Sequence, residues 1–282
     1  MATKRVVILS DFHCGHRAGL TPPYRWPTPE SKHKDDDERT IRVRKHTERY
    51  RKLNEECWNW FTGELTKLKK TSPSKKIDAC FFNGDAIDGK QQACGGSEFN
   101  APTMIDQCDM ATHILKRVQA EKYVLSYGTP YHVGKDTDWE DSIADRLGAV
   151  KIGSQVFPEV NGVTFDLKHE PAGNSNIPHG RHTGVAKDRM WNLMWWADEE
   201  RQPRAQVYIR SHVHYHAYAG GPGWLAMTTP ALQAASTKYG ARRCVGMVDY
   251  GFVHFDIHDN GSYTWQSHVA KIKTEKVTKF SI

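Results

Sequence analysis

Three short runs of branched and aromatic residues, RVVILS at 5–10, the front of IDACFFNGDAIDG at 77–89, and KYVLSY at 122–127, each break off into a cluster of Asp, His and Gly. Continuous apolar runs of this length form strands buried on both faces. Helical stretches from about 38 to 70 and from about 102 to 120 separate them, so the order is β, α, β, α, β. In an open α/β sheet, ligands bind beyond the carboxyl ends of the strands. The polar clusters can therefore converge: Asp11 and His13 after the first strand, Asp85 and Asp88 after the second, His132 after the third.

The first long helix places Ile41, His46, Tyr50, Leu53, Cys57, Trp60, Phe61, Leu65 and Leu68 at helical spacing, with Gly63 its weakest point, and it follows a loop carrying Pro22, Pro23, Pro27 and Pro29. In the later half, WEDSIADRLG predicts a short helix, and Asn161 and Gly162 predict a hairpin between 155–160 and 163–168. A loop of Pro, Gly, Asn and His spans 171–184, and KDRMWNLMWWADEE reads as a helix whose Met and Trp face, with Trp191, Trp195 and Trp196, is expected to be core. A second hairpin is expected around Asp259, Asn260 and Gly261, and a Lys-rich frayed strand or arm from Lys271.

A chain of 282 residues suits one large α/β domain or two small ones. We expect a single domain over 1–282, with the proline loop and a basic helix as an insertion at about 20–70. The net charge of +6 is a weak pointer to an anionic partner. It is bunched in Arg39, Arg42, Arg44, Lys45, Arg49, Arg51 and Lys52, only partly balanced by Asp35, Asp36, Asp37 and Glu38, so this helix could meet a phosphate backbone. Cys14, Cys57, Cys80, Cys94, Cys108 and Cys244 form no CxxC pair, which predicts reduced thiols in a cytoplasmic setting. The apolar run at the start is too short for a signal peptide, and no stretch could cross a bilayer.

The most specific stretch is RSHVHYH at 210–216, which sets His212, His214 and His216 on alternate residues after the strand-like QVYIR. On a strand these would share one face. His169 ends another strand-like run, TFDLKH. Asp and His suit divalent first-row metals, and no thiolate accompanies them. Two carboxylates and four or five imidazoles exceed the needs of one tetrahedral ion, so a dinuclear site is the economical reading. Two ions roughly 3.5–4 Å apart can lower the pKa of a shared water and clamp a phosphoryl group.

The ordered set DFH, NGDAIDG, GTPYH, a lone His and SHVH resembles the calcineurin-like metallophosphoesterases, whose pattern runs DxH, GDxxD, GNH, H, GHxH. The resemblance spans residues 11–214. It implies an αββα sandwich of two mixed sheets flanked by helices, and hydrolysis of a phosphoester by a metal-bound hydroxide at a dinuclear site. Carried over, Asp11, His13 and His214 hold one metal, Asp85 bridges, His169 and His212 hold the second, and His132 is the catalytic histidine. Mn2+ is the first choice of ion, with Zn2+, Fe and Ni2+ as alternatives. Two departures stand out: Ser211 replaces a Gly, and GTPYH, which has the look of phage or prophage versions, lacks the Asn that ligates the second metal. Thr129 taking its place, His132 becoming a ligand, and weak binding of the second ion are the open alternatives.

A phosphodiester, nucleic acid foremost, is the expected substrate. Phosphomonoesters and cyclic nucleotides are alternatives within the enzyme class, and a non-catalytic scaffold is the alternative outside it. Asp88 is expected to support its loop. His16, His179 and Arg181 are candidates for contacting substrate phosphate, with His182 and His216 behind them, while Tyr24, Trp26 and Tyr131 are candidates for stacking on a base.

Overall fold

The computed structural model describes residues 2–29, 37–92, 95–134, 137–175, 177–234, 247–272 and 279, with Arg42 described by its backbone alone. Asp35, Asp36, Cys94, Cys244 and most of the Lys-rich tail lie outside these residues. The strands are β1 (Lys4–Leu9), β2 (Ile77–Asn83), β3 (Ala120–Ser126), β4 (Lys151–Gly153), β5 (Gln155–Val156), β6 (Glu159–Val160), β7 (Val163–Lys168), β8 (Val207–Arg210), β9 (Ala217–Gly221), β10 (Trp224–Thr228), β11 (Tyr250–Ile257) and β12 (Tyr263–Ala270). The helices are α1 (Glu38–Thr71), α2 (Met104–Val118), α3 (Pro130–Val133), α4 (Trp139–Leu147) and α5 (Thr183–Ala197).

Two six-stranded sheets result, one in the order β12-β11-β1-β2-β3-β4, the other β5-β7-β8-β10-β9 with β6 on β7. In the first, β1 to β4 run parallel while β11 and β12 are antiparallel; in the second, β7, β8 and β10 are parallel and flanked by antiparallel neighbours. Alternation along each strand sorts the side chains into layers. Val6, Ile8, Phe81, Val253 and Phe255 face the second sheet, where they meet Phe165, Leu167, Val207, Ile209 and Met227. Phe165 touches both Phe81 and Phe255 with ring centroids 5.3 Å apart. Its truncation to Ala would cost roughly 3–5 kcal/mol.

On the opposite face of the first sheet, Val7, Leu9, Cys80 and Phe82 pack with Phe61, Leu65 and Leu68 of α1 and Ile114 and Leu115 of α2. The outer face of the second sheet packs Tyr208 and Ala226 against Val185 of α5. The layers are thus αββα, with mixed sheets, as the sequence motifs imply.

Local signals explain the boundaries. Asp37 caps α1 by accepting from Thr40 N at 2.6 Å, and Thr103 caps α2 by accepting from Asp106 N at 3.1 Å. Asn161 and Gly162, at φ 48° and 81°, form the left-handed pair of the β6–β7 hairpin. Helix α1 is the crossover from β1 to β2, and its first buried position is Tyr50.

Two expectations fail. Strand β8 ends at Arg210, and His212 and His214 have φ of 68° and 55°, so the stretch from Ser211 to His216 is a loop rather than a strand. The Met and Trp face of α5 is not core: Trp191, Trp195 and Trp196 are 47%, 40% and 37% exposed. The buried positions of α5 are Gly184, Val185, Asp188 and Asn192, so polar anchors, not the indoles, hold this helix down.

Candidate metal centre

The ends of β1, β2, β3, β7 and β8 open on one rim. There the loop after β1 zips onto the loop after β2, with Asp11 N donating to Gly84 O, His13 N to Asp85 O and Cys14 N to Ala86 O, at 3.0–3.1 Å. Close approach needs glycine twice. A Cβ on Gly84 would lie 2.5 Å from His169 Nδ1, and one on Gly128 would lie 2.2 Å from Asp85 Oδ1. Asp11, His13, Asp85, His212 and His214 all adopt left-handed backbone, φ 45–68°. Such conformations are strained for residues with a side chain and cluster at functional sites.

These loops gather two groups, Asp11 with His13 and His214, and Asp85 with His169 and His212, whose ligand atoms lie within 4.8 Å of one another in each group. Asp11 Oδ1 is 3.3 Å from His214 Nε2 and 3.9 Å from His169 Nε2. Asp85 Oδ2 is 3.1 Å from His169 Nε2 and 3.9 Å from His13 Nε2, so one carboxylate oxygen faces both groups. The imidazoles are oriented from behind. His169 Nδ1 donates to Asn83 O at 2.6 Å, and His13 Nδ1 lies 3.2 Å from Asp88 Oδ1, leaving each Nε2 toward the carboxylates. His169 Nε2 is buried and makes no well-aligned hydrogen bond; its nearest polar neighbour is the Asp85 carboxylate at 3.1 Å. A buried ring nitrogen facing carboxylate oxygens and other imidazoles fits a divalent ion.

Asp88 and His132 form a further group with His13. The link from His132 Nδ1 to Asp88 O, at 3.0 Å, must be donated by the ring, because a carbonyl only accepts. We therefore read this group as a hydrogen-bonded bracket. Thr129 does not offer itself to an ion; its N–H and hydroxyl donate to Asp85 Oδ1 at 2.7 and 3.1 Å.

The charges are coupled. Burial raises the Asp85 carboxyl, but the surrounding imidazoles, His169 first, outweigh it and hold the group well below its ordinary value. Burial likewise raises Asp11, and His214 and His169 bring it below normal. For His169 burial works downward, but the Asp85 and Asp11 carboxylates push it up to about 10. His13 goes the other way: burial and the neighbouring His132 lower it to about 4.

Sequence reasoning missed two organisers. The amide of Asn83 donates to Lys168 O at 3.1 Å and Ser211 Oγ at 2.7 Å and accepts from Ser126 Oγ at 2.7 Å, tying both sheets together under the site. Ser211, which stands where the resemblance has Gly, is thus used by its hydroxyl. Buried Glu140 accepts from Ala86 N at 2.8 Å and Gly128 N at 2.7 Å, joining the NGDA and GTPYH loops; burial and then the charge of Asp85 push it up to about 8, against those hydrogen bonds. Its only sequence signal is an acid in the first turn of a short helix.

Other candidates are dispersed. His16 is buried, its Nδ1 accepting from Ala18 N at 2.9 Å and its Nε2 3.5 Å from Glu98, so both nitrogens are engaged within the fold rather than free for substrate. His216 turns away, bonding Thr228 O at 2.8 Å and packing near Trp265. Arg181 stacks over Tyr215 at 4.5 Å, beside His214 in sequence, while His179 is exposed. Tyr24 and Tyr131 are 58% and 45% exposed; the Trp26 indole is engaged with Thr21 O.

No protein-family model and no curated protein matches the chain. Among solved structures, Vps29 from Entamoeba histolytica, determined with zinc, is 12% identical over 94% of this chain and 98% of that one, with a TM-score of 0.42. An archaeal phosphodiesterase is 12% identical over 94% and 99%, TM-score 0.41, and a predicted phosphoesterase from Streptococcus pneumoniae is 10% identical over 95% and 99%, TM-score 0.36. The αββα layers with a strand-end rim are the architecture that the motif resemblance implies. The functional reading rests on the side chains.

Proposed function

We propose that this chain is a metal-dependent phosphoesterase that hydrolyses phosphodiesters, nucleic acid foremost, within a single domain. The observation that carries the reading is Asp85 Oδ2 standing between His169 Nε2 and His13 Nε2, at 3.1 and 3.9 Å. Asp11, His13 and His214 would hold one ion, His169 and His212 the other, and Asp85 both, with Mn2+ the first choice. Such ions supply an activated water at neutral pH and neutralise phosphoryl charge. With Asp85 shared, the first ion would have four protein ligands and the second three, so the second keeps a position open for water and substrate.

The chain's own groups do the rest. Asn83 and Asp88 hold His169 and His13 in the orientation that presents Nε2 to the centre. His132, with Nδ1 committed to Asp88 O, keeps Nε2 for proton transfer to the departing oxygen. Arg181, stacked on Tyr215 next to His214 in the chain, is a candidate for a phosphate contact. For substrate, α1 passes the loop after β1, where Arg17 lies 3.3 Å from His46 and stacks on Tyr50. The basic front of α1 extends about 18 Å before its first buried residue, and phosphate contacts from Lys and Arg suit a nucleic-acid backbone. The free, buried thiols of Cys14, Cys57, Cys80 and Cys108 suit a cytoplasmic setting. No helix among the described residues is long and apolar enough to cross a membrane.

Manganese loading followed by metal analysis and assay on generic phosphodiester and phosphomonoester substrates tests the reading. It expects close to two ions per chain and faster diester hydrolysis. Asp85→Asn should cut kcat/KM by roughly 10⁴-fold with the circular dichroism unchanged, several kcal/mol of charge stabilisation being lost. Absence of ions after loading, or an undiminished rate in D85N, would refute it.

A further inference from the structure

Among the described residues nothing covers the outer face of α5. Met190, Trp191, Met194 and Trp195 are 48%, 47%, 52% and 40% exposed, an apolar patch of the kind that marks interaction sites, and Trp196, 37% exposed, borders it on another side of the helix. The helix does not need this face for folding. Its inner side is pinned by Asp188, 3.0 Å from buried Arg210 Nε, and by Asn192, which accepts from Ala205 N at 3.0 Å and Tyr208 OH at 3.1 Å. The indoles are braced by arginines, Arg201 over Trp195 at 5.9 Å and Arg204 over Trp196 at 5.1 Å. Trp and Arg are the residue types that dominate interface energetics.

The order of residues along this face says what fits it. Lys187, Met190, Trp191, Met194, Trp195 and Asp198 lie within about 140° of the helix circumference. A two-fold axis between residues 192 and 193 sets a second, antiparallel α5 so that Lys187 faces Asp198, Met190 faces Trp195 and Trp191 faces Met194, each pair occurring twice. Self-complementarity of this kind is what an isologous interface requires. Asp198 and Arg201 pair locally at 3.1 Å, but both side chains are more than half exposed, so the contact is easily exchanged. A nucleic-acid strand fits less well, because Asp198, Glu199 and Glu200 close one end of the stripe.

We propose that two copies of this chain associate through α5, antiparallel, with the Trp and Met stripes interleaved and Lys187–Asp198 pairs at the two ends. Sedimentation equilibrium of the full chain is expected to show a concentration-dependent dimer. Trp191→Glu with Met194→Glu should weaken it by roughly thirtyfold or more, leaving hydrolysis and circular dichroism as in the parent. Lys187→Glu and Asp198→Lys should each weaken the dimer, and the two combined should restore it, which a merely local salt bridge would not do. A monomer at every concentration, a dimer indifferent to the Glu pair, or a charge swap that fails to restore would each overturn the proposal. So would quenching of tryptophan fluorescence by a single-stranded oligonucleotide that is lost in W191E, which would hand the face to nucleic acid.

Discussion

The two ligand groups are built from the same residue types, yet one histidine in each is driven in the opposite direction. In the group of Asp11, His13 and His214, the histidine held by Asp88 is driven down to about 4, so its ring is neutral at physiological pH and ready to bind an ion. In the group of Asp85, His169 and His212, His169 is held at about 10 and is a cation until an ion displaces its proton. The cause is what stands nearest. His13 has His132 beside it, ring centroids 4.5 Å apart, whereas His169 Nε2 has the Asp85 carboxylate at 3.1 Å. On the proposed function, the first group would take an ion without losing a proton from His13, whereas loading of the second would release one from His169.

The largest effects separate the two groups directly. His13→Ala and His169→Ala should each reduce a manganese-loaded protein from two ions to one, and each should lower diester turnover by roughly a thousandfold or more, since neither ion alone clamps both oxygens of the displacement. In the parent, the second ion should bind more tightly as pH rises, following His169, while the first should be nearly indifferent to pH. If either substitution empties both groups, they are one site and the comparison fails.

Stability of the metal-free protein sharpens it further. The folded His13 resists protonation down to about 4, while an unfolded histidine takes its proton near 6.5. Its contribution is therefore complete above 6.5 and is lost as pH falls toward 4. His169 is raised, so its contribution is complete below 6.5 and is lost as pH climbs through about 10. Urea unfolding of His13→Gln and His169→Gln against the parent should show the first variant flattening the acid side and the second the alkaline side. The difference should be on the order of 3 kcal/mol for His13 and about 5 kcal/mol for His169. Glu140, raised to about 8, loses stability with rising pH over its own range but is common to all three proteins.

What could be read from the residues follows the same logic. A strand that ends in Asp or His must find those groups a partner, so the convergence of Asp11, Asp85 and His169 was legible from position alone. The conformation of RSHVHYH was not, because alternation of imidazoles is equally compatible with a loop that alternates left-handed residues, as His212 and His214 do. Apolar spacing on α5 likewise announces a stripe without saying which side of the helix is covered. There Asp188 and Asn192, unremarkable in sequence, decide the burial through bonds to Arg210, Ala205 and Tyr208. Asn83 escaped notice because its work is done by partners in β3, β7 and the loop after β8, none near it in the chain.

The smallest expected effect concerns the asparagine missing from GTPYH. Thr129 presents both its N–H and its hydroxyl to Asp85, so the second group is served by an oriented carboxylate in place of an additional ligand. Thr129→Val keeps the shape, the extended backbone at φ −73° and the N–H bond, and removes only the hydroxyl. Groups that orient a ligand from behind typically contribute 10–100-fold to metal affinity; with the N–H retained, the loss should sit near the lower end. We expect about tenfold weaker binding of the second ion, a matching fall in turnover, and recovery in Thr129→Ser. Isothermal titration with manganese decides it. Unchanged affinity in T129V would leave the hydroxyl without a part in metal binding, and a loss confined to the first ion would assign Asp85 chiefly to Asp11, His13 and His214.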